Sequence, residues 1–202
     1  MATAPRRTRS DALRNRARLL EVAAQAFAED GLDTAPAAIA QRAGVGVGTL
    51  YRHFPTREAL VEAAYQHQLA RVCETVAELV ARHPAAEATR RWVAHFLDYA
   101  AAKSGMSAAL DAVVASGADP FADSLTLLTG AVGTLLDAGA RDGTLRTDLT
   151  PDLVLLLMGG IAYSVRHGTP AQAGRLVDLL MDTLTKDVAA RPAGSDGEAD
   201  LP

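Results

Sequence analysis

The sequence predicts an all-α fold of nine helices, a three-helix N-terminal head followed by a longer helical body. Three observations carry this. Apolar residues recur at helical spacing along most of the 202 residues, and no convincing alternating strand pattern appears. The breaks between periodic segments fall at glycine, proline and aspartate, the residues that punctuate helices. Near the N-terminus, a glycine-rich turn runs straight into a very short segment dense in hydrogen-bonding side chains, Gly44-Val45-Gly46-Val47-Gly48-Thr49-Leu50-Tyr51-Arg52-His53-Phe54.

The first helix is expected from Ser10 to Glu29, with Leu13, Ala17, Leu20, Ala24 and Phe27 as its apolar stripe and Arg14, Arg16 and Arg18 off it. Asp30-Gly31 ends it, glycine accepting the left-handed C-terminal conformation. Thr34 is expected to cap a short second helix that tolerates Pro36 in its first turn and stops at Gly44. The third helix runs from Val47 to His53. Phe54-Pro55 breaks the pattern, and Thr56 caps a long fourth helix reaching Arg82, with Val61, Tyr65, Leu69, Val72, Val76 and Leu79 in register. His83-Pro84 stops it.

A fifth helix, Ala85 to Ala102, carries Trp92, Phe96 and Tyr99 on one side and is expected to break at Lys103-Ser104-Gly105. A sixth spans Met106 to Ala115. Asp119-Pro120 opens a seventh containing Phe121, Leu125, Leu128, Val132 and Leu135, followed by a polar connection from Gly139 to Pro151. The eighth, Asp152 to Val165, is apolar almost all round, so it must be buried on every side. It sits either at the centre of the domain or against a second copy of itself across a two-fold axis. The pair Gly159-Gly160 suggests close approach to another helix, and Ile161, Leu176, Leu179, Leu180 and Leu184 extend the surface; a dimer through 152–165 and 171–188 is the favoured reading. The ninth helix is expected from Ala171 to Val188. The head thus covers 10–55 and the body 56–189, with 1–9 and 190–202 expected as disordered tails.

Charge is divided unevenly. Met1 to Leu60 holds nine arginines against six acids, whereas the remainder holds eleven basic and eighteen acidic residues, for a net charge of -4. A positive head on a negative body suits docking on DNA by one end, although chance asymmetry gives the same sum. The single cysteine, Cys73, excludes an intrachain disulfide. Residues Met1 to Ser10 carry Arg6, Arg7 and Arg9 without an apolar core, which is not a signal peptide. The longest apolar run, Leu153 to Met158, is too short for a bilayer. No membrane association and a cytoplasmic location follow as expectations.

Enzymatic signals are missing from the pattern. Histidines 53, 67, 83, 95 and 167 lack metal-ligand spacing, and Cys73 has no partner for zinc. Ser104-Gly105-Met106-Ser107 lacks the second glycine of a nucleophile elbow. Gly44 to Gly48 follows a helix rather than a strand, unlike a dinucleotide loop. No catalytic residue, metal or cofactor is therefore expected. Two short helices joined by a glycine turn instead form a helix-turn-helix, whose second helix enters the DNA major groove.

Ala38-Ile39-Ala40-Gln41-Arg42-Ala43-Gly44-Val45, then Gly48-Thr49-Leu50-Tyr51-Arg52-His53-Phe54, then Arg57-Glu58-Ala59-Leu60 resemble, without gaps, the signature of the TetR/AcrR family of transcriptional regulators. The likeness covers roughly Leu13 to Leu60; the rest is similar only in helix count and length, with Asp142 to Asp148 resembling a connection common before the dimerising helices. Two positions depart from the family's habit. Gly46 stands where Ser or Thr is common, and Val47 where a polar or basic residue is frequent.

The resemblance implies a homodimer on a near-palindromic double-stranded operator, released by a small apolar or amphipathic effector, most often as a repressor. Arg52 is the candidate for base readout, since arginine grips guanine bidentately, with a phosphate contact as the alternative. Val47 and Gly48 would lie nearest the bases, and Thr49, Tyr51 and His53 would contact phosphate or sugar. Thr34 and Arg42 would touch the backbone from the second helix. Arg57, at a helix N-terminus, suits phosphate. For the effector, the resemblance implies Tyr65, Gln68, Trp92, His95, Phe96, Tyr99, Met106, Phe121, Leu125, Met158 and Tyr163, with ordinary hydrophobic core as the competing reading of each. A helical carrier or enzyme using the aromatic helices, with no DNA role, is the competing reading.

Overall fold

The computed structural model describes residues 9–30 and 34–185. The expected tails and the ends placed at Gly31 and Val188 lie outside the described residues, except that Arg9 begins the first helix. The elements in order are α1 (Arg9–Asp30), α2 (Pro36–Arg42), α3 (Val47–His53), α4 (Arg57–Arg82), α5 (Ala85–Gly105), α6 (Ser107–Ala115), α7 (Ser124–Asp142), α8 (Pro151–His167) and α9 (Pro170–Leu184). Among the described residues there is no strand, only an isolated bridge between Leu145 and Thr185.

Local chemistry explains most boundaries. Thr56 caps α4 by accepting from the Ala59 amide at 3.1 Å. Thr150 does the same for α8, and Thr169 with Gln172 forms a reciprocal capping box on α9. One expected cap fails. Ala35 occupies the N-cap of α2 without a side-chain bond. Thr34 is instead buried, its hydroxyl donating to the Ala26 carbonyl at 3.0 Å.

Three other boundaries differ. Lys103-Ser104-Gly105 does not break α5, which runs through to Gly105 and turns at Met106 into α6. Asp119 does not open α7; its carboxylate accepts from the Phe121 amide in a turn, and the helix starts at Ser124. Nor is the connection after α7 simply polar. The helix continues past Gly139 to Asp142, Gly143 turns the chain at φ 76°, and Leu145 is fully buried under Gly139. Arg146 then donates its amide to the Leu184 carbonyl at 2.9 Å, tying this connection to the end of α9.

α4 is the spine of the molecule, packing on α1, α5, α6 and α7. The Trp92 indole donates to the Val72 carbonyl at 2.8 Å, fastening α5 to α4 inside the core. At the end of α5, an added Cβ on Gly105 would sit 2.7 Å from the Ala28 carbonyl oxygen and 2.9 Å from its Cα. The last turn of α5 therefore lies directly on the backbone of α1. Leu19, Leu20, Ala23, Ala24 and Phe27 form the buried face of α1, whereas Leu13 is 63 % exposed and not part of it.

α8 is not central. Val154, Leu155, Met158 and Ile161 face the core, but Leu153, Leu157 and Tyr163 are exposed and Leu156 is 74 % exposed. Within the chain nothing lies within 4 Å of an added Cβ at Gly159 or Gly160.

Candidate DNA-binding head and effector cavity

The turn before α3 is built by α2. The Gly44 amide donates to Gln41 and the Val45 amide to Ala40, the paired bonds of a Schellman ending, with Gly44 at φ 69°. Gly46 then caps α3 from an extended backbone, without a side-chain bond. Leu50 and Phe54, one turn apart, are buried and pin the helix to the head. The Arg16 guanidinium lies 5.5 Å over the Phe54 ring, linking α1 to this anchor.

The opposite face is open. Val47 is 39 % exposed, Tyr51 48 %, and Gly48 and Arg52 are exposed beside them. Positions 47, 48, 51 and 52 share one side of a helix. His53 is exposed and Thr49 half-buried. An apolar and an aromatic side chain left in solvent on a seven-residue helix are not core residues of this chain. The flanking candidates are placed differently from one another. Arg42 is exposed and paired with Glu29 at 3.3 Å, a weak surface contact. Arg57 is half-buried with its guanidinium 5.7 Å over the Phe27 ring. Thr34, inside the α1–α2 packing, offers little surface to a duplex, a correction to the contact expected of it.

Between α5, α6, α7 and α8 lies a cavity of about 440 Å³. Its inner wall includes Phe96, Tyr99, Leu110, Phe121 and Leu128, while Lys103, Asp111 and Arg166 are exposed at its rim. Behind the wall, the Tyr65 hydroxyl bonds both the Tyr99 hydroxyl (2.9 Å) and Ser124 Oγ (2.8 Å). Burial first, and then the bond to Tyr65, push the Tyr99 phenol far above its ordinary value of 10, so the wall is neutral there. Tyr65 packs edge-on against Phe121 at 5.3 Å, joining α4 to the segment before α7.

The eleven expected effector residues divide by location. Phe96, Tyr99, Phe121 and Tyr163 line the cavity. Tyr65 lies one bond behind it. Gln68 and His95 line a separate polar cleft of about 220 Å³ between α4 and α5, which Tyr99 also touches. Trp92, Met106 and Met158 are buried and absent from the cavity lining, so they are core; Leu125, 67 % exposed, points away from it. Sequence reasoning passed over Lys103 and Arg166. A signal existed for the first: Phe96, Tyr99 and Lys103 fall on one helical stripe, with the charge continuing the aromatic run by one turn.

A short exposed helix carried on a glycine-turned pair, set on an all-helical body with a hollow, defines a helix-turn-helix transcriptional regulator. Residues 19–64 match the profile of bacterial regulatory proteins, tetR family, and residues 84–186 match that of the transcriptional regulator SbtR-like, C-terminal domain. The chain belongs to the TetR family. It is similar to the crystal structure of a TetR transcriptional regulator from Streptomyces coelicolor, at 48 % identity and a TM-score of 0.80, over 84 % of this chain and 98 % of that one. A TetR transcription regulatory protein from Mycobacterium vanbaalenii matches at 35 % identity and a TM-score of 0.73, over 88 % and 99 %. An HTH-type transcriptional regulator of Staphylococcus aureus is 40 % identical over 62 residues, 30 % of this chain and 34 % of its own. The match thus spans about a third of the length of that curated relative. These relatives are regulators, and no helix among the described residues is long and apolar enough to cross a membrane.

Proposed function

We propose that the chain is a repressor that binds a near-palindromic operator as a homodimer and is released by a small apolar or amphipathic effector held in the α5–α8 cavity. The observation that carries the DNA reading is the outward stripe of α3. Val47, Gly48, Tyr51 and Arg52 face solvent together, while Leu50 and Phe54 hold the helix from behind. Nothing in the fold requires a glycine at position 48, where an added Cβ would meet no atom within 4 Å. Glycine costs helix stability, and its absent side chain lets a duplex approach the backbone. Arg52 reads a base, with Tyr51, Thr49, His53 and Arg42 on the phosphates. A regulator that acts on chromosomal DNA would work in the cytoplasm.

The dimer reading is supported by the apolar surface that α8 and α9 leave open. Leu153, Leu156 and Leu157 on α8 and Leu179 on α9 are exposed, and an apolar groove runs beside them past Gly160 and Leu176. Coverage by the same surface of a second copy removes this patch from water and presents two α3 helices to successive half-sites.

Two contacts connect effector and head. Tyr65, hydrogen-bonded at the cavity wall, sits on α4, which packs on α1. Tyr99 and Lys103 sit on α5 just before Gly105 meets Ala28 of α1. An effector that shifts either helix tilts the head and changes the spacing of the two α3 helices. Coupling of about 1–3 kcal/mol, typical of such pairs of sites, gives a 5- to 150-fold loss of operator affinity.

Selection of bound duplexes from a random pool tests this directly: a short near-palindrome with steep salt dependence is expected, and the absence of any preferred sequence refutes it. Arg52→Ala should then relax the preference at one position per half-site. Uniform weakening across all sequences would mark Arg52 as a phosphate contact instead.

A further inference from the structure

We propose that the effector is a monoanion with a compact apolar body, its charged group held at the cavity mouth between Lys103 and Arg166. This rests on reading the cavity as the effector site. The inner wall is apolar and aromatic, with the neutral hydroxyls of Tyr99 and Ser124 as polar points and Ser104, Ser107 and Tyr163 also on the lining. The formal charges of the lining residues are two positive, Lys103 and Arg166, and one negative, Asp111. An anion therefore meets a net attraction at the rim, a cation a net repulsion, and a second negative charge has no matching partner.

The placement of the two cations strengthens the case. Elsewhere on the body, several exposed arginines find carboxylates, Arg90 pairing with Asp178 at 2.7 Å, Arg91 with Glu87 at 2.6 Å and Arg146 with Asp148 at 2.6 Å, whereas Arg141 turns to the Asp137 carbonyl instead. Among the described residues, neither Lys103 nor Arg166 forms an ion pair, although Asp111 shares the rim with them. The Lys103 ammonium lies 4.7 Å over the Phe121 ring and 5.8 Å over Tyr65, so it rests on the aromatic wall rather than standing off into solvent. Arg166 stands across from it on α8. A ligand that buries an apolar body against Phe96, Phe121 and Leu128 brings its polar end to the level of these two groups. A carboxylate or sulfonate there accepts hydrogen bonds from both, and the arginine fork suits either.

Two dyes that differ by one sulfonate test the claim on the full chain. They are 8-anilino-1-naphthalenesulfonate and its uncharged counterpart N-phenyl-1-naphthylamine. Titration of each into the wild type, Lys103→Met, Arg166→Gln and the double variant gives four pairs of Kd values. The wild type should favour the anionic dye, and the double variant should lose about five-fold or more of that preference, the scale of two partly exposed charge contacts. The uncharged dye should bind all four proteins alike, which also shows that the variants keep the cavity folded. A preference that survives in the double variant overturns the proposal, because the dye then sits elsewhere, for instance in the α8–α9 groove. Equal binding of both dyes to the wild type removes the charge selection but leaves the cavity an effector site. Failure of both dyes to bind removes the effector site and the proposal together.

Discussion

Gly105→Ala is the most informative single change at the junction of head and body. The added methyl would lie 2.7 Å from the Ala28 carbonyl oxygen, 2.9 Å from its Cα and 3.0 Å from its Cβ. Two of these three atoms are backbone, so no side-chain rotation relieves the contact; α5 and α1 must separate. Overpacking of this kind costs about 1–3 kcal/mol. Alanine offsets at most about 1 kcal/mol of that through its better helix propensity, and less at the last residue of a helix. The net expectation is a loss of about 1–2 kcal/mol, or a fall in Tm of roughly 2–8 °C for a chain of this size. Urea unfolding monitored by circular dichroism, with the slope unchanged, reads the loss. Gly130→Ala is the control. It lies inside α7 with nothing within 4 Å of the added carbon, and it should stabilise by up to about 1 kcal/mol. If Gly105→Ala raises the urea midpoint as Gly130→Ala does, the two helices are not in backbone contact and the route from cavity to head through α5 is wrong.

Leu156→Ala should weaken self-association by about 3–6 kcal/mol, since a leucine of 1.5–3 kcal/mol is lost from both copies; sedimentation that shows an unchanged dimer would exclude α8 as its seam. Tyr65→Phe should destabilise by about 1–3 kcal/mol, because it strands two buried hydroxyls, and Tyr99→Phe by about 0.5–1.5 kcal/mol, because Tyr65 keeps Ser124; thermal melts that reverse this order contradict the network. Asp142 is held below the ordinary aspartate value of 3.8, first by the Thr144 hydroxyl and then by the Ala85 amide. Its folded value being the lower one, its contribution is complete above the ordinary value and is lost as pH falls through the folded one. Asp142→Asn should therefore flatten the acid side of the stability profile below about pH 4, and an unaltered profile in unfolding titrations would remove it as a contributor.

The head was legible because its signals are local. Gly44 and the dense segment after it defined the turn and α3 to the residue, and Thr56 defined the start of α4. Errors arose where a tertiary contact, not a local preference, chose the residue. Gly105 resembles a helix stop, yet it is small because Ala28 lies against it. Thr34 resembles a cap, yet it satisfies a carbonyl of α1. Asp119-Pro120 resembles a helix start, yet the Pro120 carbonyl is engaged by Gln66 from α4 at 2.7 Å, and the helix begins later. The cavity was half legible for a related reason. Periodicity identifies the inward face of a helix but not which part of the interior is hollow. Trp92 and Phe96 share a stripe, and only Phe96 reaches the space.

The three hydroxyls of Tyr65, Tyr99 and Ser124 have three hydrogens and make two mutual bonds. One hydrogen is therefore left over, and whenever Tyr65 donates one of its two bonds and accepts the other, that hydrogen sits at one end of the row. Rotating the O–H groups in concert moves it from the serine end to the tyrosine end, without moving a heavy atom. The same wall can thus greet a visiting molecule with a donor at Tyr99 and a lone pair at Ser124, or with the two exchanged.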